Sequence, residues 1–257
     1  MIYPLIAFIF GLFFGSFANV CIWRLPRDKS IVKPRSFCPN CGKKIPWYYN
    51  IPVLSYIYLK GRCAYCREKI SIRYPVVELA AGIITASWFI RFDLSITPFI
   101  FAVFGIILII ISGIDFEHQY IPPYFSYPLI ILGIAAAYYN NFLGNQNYNK
   151  FILSLAGAGG GFLIIILIRF MGNIVFKKES MGMGDAKLMA GIGAFVGLGG
   201  VFWTIFIGSF LGAIVGLYMR YIGKLEKYEY IPFGPYLSLG SIIFIIFSEF
   251  FNSFLTL

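Results

Sequence analysis

Two aspartates and four cysteines are the side chains here whose types and spacing suit chemistry. Asp115 stands in "IISGIDFEHQYIPP" and Asp185 in "SMGMGDAKLMA", each at the edge of an apolar run. A carboxylate beside a membrane span is costly to keep and is by default a candidate functional group. Two carboxylates held close cannot both ionise freely; they share a proton, which makes one a base and the other an acid. Such a pair can take a proton from water and give one to a leaving amine, which is peptide hydrolysis without a metal or a covalent nucleophile. Gly182 and Gly184 leave the backbone before Asp185 bare, so that an extended substrate can approach it. Two other readings fit the same residues. Asp185 can be a helix N-cap with Asp115 a satisfied turn residue, or the two can form a proton or ion relay.

The cysteines fall in "CPNC" at 38–41 and "CAYC" at 63–66, with 21 residues between the pairs. Each C-x-x-C lets two thiolates reach one ion, and two such turns complete a tetrahedron. Cys38, Cys41, Cys63 and Cys66 therefore predict a structural zinc site, closed to water by its four protein ligands. Disulfides or idle thiols are the alternatives, and a reducing compartment disfavours disulfides. Gly42 and Gly61 suit the sharp turns, while Lys43, Lys44, Arg62 and Arg67 offset thiolate charge. Cys21 lies in an apolar run and reads as a small buried hydrophobe. His118 is the only histidine, and no nucleophile triad or HExxH motif accompanies it.

These groups must be positioned by membrane helices. The 257 residues are 59% hydrophobic and 12% charged, against about 25% charged in soluble domains. Eight apolar segments are candidate spans: Pro4–Trp23, Val76–Phe92, Pro98–Ile114, Tyr124–Tyr139, Phe151–Phe170, Ala186–Gly199, Val201–Tyr221 and Phe233–Leu257. The expected fold is an all-α polytopic membrane protein with about eight transmembrane helices and a small zinc-ribbon-like insertion after the first. This divides the chain into a first helix (1–23), a cytoplasmic four-cysteine domain (24–75) and a seven-helix core (76–257). The sixth span is short and rich in Gly and Ala, which suits a broken helix or a merger with the seventh. "GAGGG" at 157–161 reads as close helix packing, not a dinucleotide loop.

The first span has no basic residue before it and no clear cleavage site, so it reads as a retained helix with its N-terminus outside. Alternating spans then place every Lys and Arg except Arg91 and Lys150 on the cytoplasmic side, as the positive-inside rule requires. The net charge of +10 is accounted for by topology and anionic lipids, with no nucleic acid. Both aspartates fall at the same cytoplasmic boundary. Asp185 starts a helix and Asp115 ends one, so the helix dipoles predict Asp185 as resting base and Asp115 as acid. Asp93 reads as a solvated loop acid, and Glu249 has no partner evident in the sequence.

The motifs "GLFFGSFANVCIWRLP", "WYYNIPVLSYIYLKGRCAYC", "ISIRYPVVELAAG", "IDFEHQYIP", "GMGDAKL" and "IPFGPYLSLG" occur in one order. That ordered set resembles the type IV prepilin peptidases, over nearly the whole chain from Gly15 to Gly240. The resemblance implies an eight-span aspartic peptidase of the GxGD class in a bacterial inner membrane. Its members remove the basic leader of prepilins and type II secretion pseudopilins at the cytoplasmic face. The catalytic pair then falls on Asp115 and Asp185, the GxGD glycines on Gly182 and Gly184, and the zinc ligands on Cys38, Cys41, Cys63 and Cys66. The resemblance also implies methylation of the new N-terminal residue, often Phe, with S-adenosylmethionine; Glu78 and Gly82 in "ELAAG" match a region linked to that activity. Pro123 departs from the family pattern, which often has Asp there. The alternatives are a peptidase-only enzyme whose cysteine domain is a docking module, and a non-enzymatic transporter or scaffold.

Overall fold

The computed structural model describes residues 2–92, 94–143, 147–177, 181–223 and 231–253; Asp93 lies outside them. Among the described residues there are helices and no strands. They are α1 (Ile2–Arg24), α2 (Leu54–Tyr58), α3 (Arg73–Arg91), α4 (Thr97–His118), α5 (Pro123–Ala135), α6 (Asn147–Phe176), α7 (Met183–Tyr221), α8 (Gly234–Ile246) and α9 (Ser248–Ser253). Of these, α1, α4, α6 and α7 are long and apolar enough to cross a membrane, and α5 and α8 are apolar but shorter. The order accommodates the eight expected segments, with the sixth and seventh both inside α7. Glu249, unassigned from sequence, sits in the first turn of α9, where the helix dipole favours an acid.

The chain forms two compact units, Met1–Ile110 and Ile111–Leu257. In the first, α1 and α3 meet backbone to backbone. A Cβ at Gly15 would lie 2.7 Å from Cα of Glu78, and one at Gly11 would lie 2.8 Å from Cα of Gly82. Small residues allow this approach, and dispersion contacts along it replace the hydrophobic drive that lipid cannot supply. Asn19, fully buried, ties the pair further by donating to the Tyr74 carbonyl at 3.1 Å.

The second unit is built around α7. Glycines again set the contacts: Gly157 of α6 runs against the Gly193 carbonyl, and a Cβ at Gly161 would lie 2.6 Å from the Met189 carbonyl oxygen. The glycine run at 157–161 thus does pack helix on helix. Gly133 of α5 abuts Ala194, and Gly240 of α8 abuts the Thr204 carbonyl. Within α7, Gly197 is non-helical (φ 70, ψ 178), so two helices join at a break two residues before the expected end of the sixth span. A break frees the carbonyls of the turn before it, and inside a membrane these need partners from the protein. Two buried side chains supply them: Asn140 Nδ2 donates to the Phe195 carbonyl at 2.9 Å and Ser154 Oγ to the Ala194 carbonyl at 2.8 Å. Replacing Asn140 by Leu leaves the Phe195 carbonyl buried without this donor. The expected loss is about 1–3 kcal/mol, read as a lower unfolding midpoint in detergent; an unchanged midpoint would show that the break needs no such support.

Candidate functional site

Asp115 lies in the last turn of α4 and is 3% exposed; Asp185 lies in the first turn of α7 and is 2% exposed. Each carboxylate is held by a backbone N–H at a helix start. Asp115 Oδ2 accepts from Gly234 N–H at 2.9 Å, at the first residue of α8. Asp185 Oδ2 accepts from Gly182 N–H at 3.1 Å, at the N-cap of its own helix. Two helix ends therefore meet one carboxylate at Asp115, not the single end expected from sequence. Asp115 does end α4, but its oxygen faces the positive end of α8, which offsets the α4 dipole. The two dipoles thus oppose one another at Asp115.

Ile121 joins the surroundings of the two acids. Its side chain fills the space beside Gly184, where a Cβ would lie 2.9 Å from Ile121 Cβ. It also lies beside Gly234, where a Cβ would come to 3.1 Å from Ile121 Cδ1 and 2.8 Å from Asp115 Oδ2. Gly184 is thus bare toward Ile121, and Gly234 is bare so that the Asp115 carboxylate can reach its N–H. Gly182 has an extended backbone (φ −75, ψ 152). Sequence reading passed over Ile121 and Gly234; the available signal was the Gly234–Pro235 pair, since Pro at a helix start contributes no N–H of its own.

The neighbouring charges are engaged elsewhere. Lys187 Nζ stands 5.0 Å over the Tyr127 ring, and His118 Nε2 lies 3.9 Å from Glu117 Oε2. Pro123 occupies the first turn of α5 with Pro122 as N-cap, a position where the missing N–H and fixed φ of proline are favourable.

The four cysteines are brought together: their Sγ atoms all lie within 4.8 Å of one another, with Cys38 and Cys66 3.9 Å apart. Four sulfurs about 2.3 Å from one ion stand about 3.8 Å apart, so the cluster fits a metal ion. The two turns are copies of one another. Cys38 N–H donates to the Lys43 carbonyl and Cys63 N–H to that of Glu68; Gly42 N–H donates to the Cys38 carbonyl and Arg67 N–H to that of Cys63. Bridges pair Phe37 with Lys44 and Arg62 with Lys69. The residue after each second cysteine is left-handed, Gly42 (φ 69) in one copy and Arg67 (φ 60) in the other. Gly61, expected to serve the second turn, instead turns the chain after α2 (φ 66), with its N–H on the Tyr56 carbonyl. Burial pushes the Cys38 thiol up to about 11, whereas backbone N–H groups of Cys66 and Tyr65 draw Cys63 down to about 7.

Glu78 and Gly82 sit on the face of α3 that meets α1. Gly82 abuts Phe8 and Leu12. Glu78 is buried; its Oε2 accepts from Val53 N–H at 2.8 Å, and Ser16 also hydrogen-bonds the carboxylate. Val53 (φ 60, ψ −49) centres a tight turn in which Leu54 N–H reaches the Pro52 carbonyl at 2.6 Å. A β-branched residue in this turn is strained, and the buried carboxylate holds it in place.

Two family models match the chain. Residues 9–92 match the bacterial peptidase A24 N-terminal domain, and residues 102–217 match the type IV leader peptidase family. The prepilin leader peptidase/N-methyltransferase of Myxococcus xanthus is 37% identical over 218 residues, which are 85% of this chain and 63% of that protein. The proteins of the same name from Stutzerimonas stutzeri and Neisseria gonorrhoeae are each 32% identical, over 96% and 93% of this chain and 91% and 89% of their own lengths. The chain thus spans less than two thirds of the Myxococcus relative and about nine tenths of the other two. No solved structure matches it. With both family models in register along one chain and relatives of one name matched nearly end to end, the chain belongs to the type IV leader peptidase family.

Proposed function

We propose that this protein cleaves the basic leader from prepilins or type II secretion pseudopilins at the cytoplasmic face of a bacterial inner membrane, using Asp115 and Asp185. The observation that carries the reading is the placement of two buried carboxylates in one unit, each on a helix-start N–H and both bordered by residues against Ile121. One carboxylate takes a proton from the attacking water. The other gives its proton to the carbonyl oxygen; on collapse of the resulting diol the first carboxylate passes the water proton to the leaving amine while the second recovers a proton from the diol hydroxyl, and the pair returns to its starting state. The substrate backbone passes at Gly182, extended at the N-cap of α7, whereas Gly184 lies in the first turn of that helix with Ile121 against it. The N-terminus lies outside and the cysteine domain inside, by the distribution of Lys and Arg. In this reading 1–23 is the first span, 24–75 the metal-holding domain and 76–257 the peptidase core.

Zinc on Cys38, Cys41, Cys63 and Cys66 holds the shape of that domain; with four protein ligands it activates no water. The relatives' names support a second activity, methyl transfer from S-adenosylmethionine to the new N-terminal residue. The described residues form no strand–loop–helix cradle for that cofactor, so methyl transfer rests on the names and on the "ELAAG" segment with Glu78 and Gly82.

Asp115→Asn and Asp185→Asn should each lower leader cleavage by about 100- to 10,000-fold in a detergent assay with a purified prepilin. Mass spectrometry of the product N-terminus reads cleavage and methylation together, separating a bifunctional enzyme from a peptidase alone; full cleavage by either variant would sink the pair. For the metal, the purified protein should carry one zinc per chain, and Cys38→Ser should lose it. Thiolates must be deprotonated to bind, so zinc affinity should fall as pH falls, by more than about tenfold per unit below the Cys63 value near 7. Unchanged metal content in Cys38→Ser would contradict the four-cysteine site.

A further inference from the structure

One surface of the first unit is explained neither by the metal nor by helix packing. In α2, Leu54, Ile57 and Tyr58 share one face at i, i+3 and i+4, and that face is bare: 65%, 65% and 75% exposed. The opposite side is anchored. Ser55 is buried, accepts the Ile51 N–H at 2.9 Å and donates to the Tyr48 carbonyl at 3.1 Å. Tyr58 stacks on Tyr49, Tyr49 meets Tyr48, and Tyr48 meets Trp47. Trp47 is 72% exposed and Tyr48 50%. The ring contacts thus join the bare side of α2, through Tyr58, to the exposed Trp47 and Tyr48.

Its depth is fixed by Glu78. The residue just before α2, Val53, donates its N–H to that carboxylate, which also bonds Ser16. Glu78 is five residues into α3, about 7–8 Å along its axis, and Ser16 is eight residues before the end of α1, about 12 Å. The start of α2 is therefore held alongside the helices, below their ends and not beyond them. A bare Leu–Ile–Tyr face with Trp and Tyr beside it suits the headgroup layer, where aromatic rings with one polar end collect. The charge agrees: in residues 24–75 basic side chains outnumber the acidic ones, Asp28 and Glu68, by twelve to two, and basic residues near an anionic surface are attracted to it.

We propose that Trp47, Tyr48, Leu54, Ile57 and Tyr58 form an interfacial foot on which the four-cysteine domain lies on an anionic lipid surface. The placement requires α1 to cross the membrane and is independent of the chemistry at Asp115 and Asp185.

The test uses the full chain labelled with 5-fluorotryptophan in nanodiscs of mixed phosphatidylglycerol and phosphatidylcholine, with the Trp47 fluorine resonance assigned by Trp47→Phe. A nitroxide carried near the lipid headgroup should broaden the Trp47 resonance beyond detection, and a water-soluble gadolinium chelate should leave it visible. In the double variant Leu54→Glu, Ile57→Glu, the nitroxide effect should be lost while the helix signal and metal content stay those of the parent. A Trp47 resonance broadened by gadolinium and not by lipid nitroxide would overturn the proposal, since the face would then meet water. Protection from both reagents would overturn it too, since a protein segment would cover the face. Equal nitroxide broadening in pure phosphatidylcholine would overturn the anionic assignment.

Discussion

The second unit depends on the hydrogen bond from Gly234 N–H to Asp115 Oδ2. It joins residues 119 apart in sequence, and both its ends are buried. A buried carboxylate there needs donors, and the strongest ones available are the unpaired N–H groups at helix starts. Asp115 takes one from α8, and Asp185 takes one from the start of its own helix. That choice dictates the residues around it. Position 234 must lack a side chain, because a Cβ would lie 2.8 Å from the Asp115 oxygen, and Gly184 must leave room for Ile121.

The same constraint operates on the acceptor side. The break at Gly197 shortens the helix that carries Asp185 and leaves carbonyls that Asn140 and Ser154 satisfy. In the first unit, Glu78 accepts the N–H of a strained turn, and Asn19 donates to the Tyr74 carbonyl. Asp115, Asp185, Glu78, Asn19, Asn140 and Ser154 thus bond backbone groups where helices start, stop or break. This follows from a medium that offers no water to irregular backbone. Helix packing complements it: glycines at 11, 15, 157 and 161 let backbones touch, which positions the polar groups to within hydrogen-bond reach.

Much of this was legible in the sequence because residue type and spacing carry it. Asp115 and Asp185 stand out as acids at the edges of apolar runs, and the C-x-x-C pairs announce their own clustering, which the sulfur positions match. The spans follow from apolar runs, and the Gly- and Ala-rich sixth segment already suggested a break. What sequence could not supply were contacts between distant residues. Nothing local links Gly234 to Asp115, and without that contact the dipole argument at Asp115 considered only one of two helix ends. Arg67 in a left-handed turn was hidden for a different reason: the fold repeats the first cysteine turn and imposes its geometry on a residue that does not prefer it. The five-residue α2 is too short for periodicity to reveal, and its depth is set by Glu78, 25 residues away from Val53.

The claim that joins these features is that Asp115 and Asp185 titrate as one unit, with one proton between them in the active state. The most direct measurement is the pH dependence of kcat/KM for leader cleavage. A shared-proton pair gives a bell: activity falls on the acid side when both carboxylates are protonated and on the alkaline side when neither is, and both limbs belong to the pair. A profile with a single limb, or one flat across the range where carboxylates titrate, would contradict it.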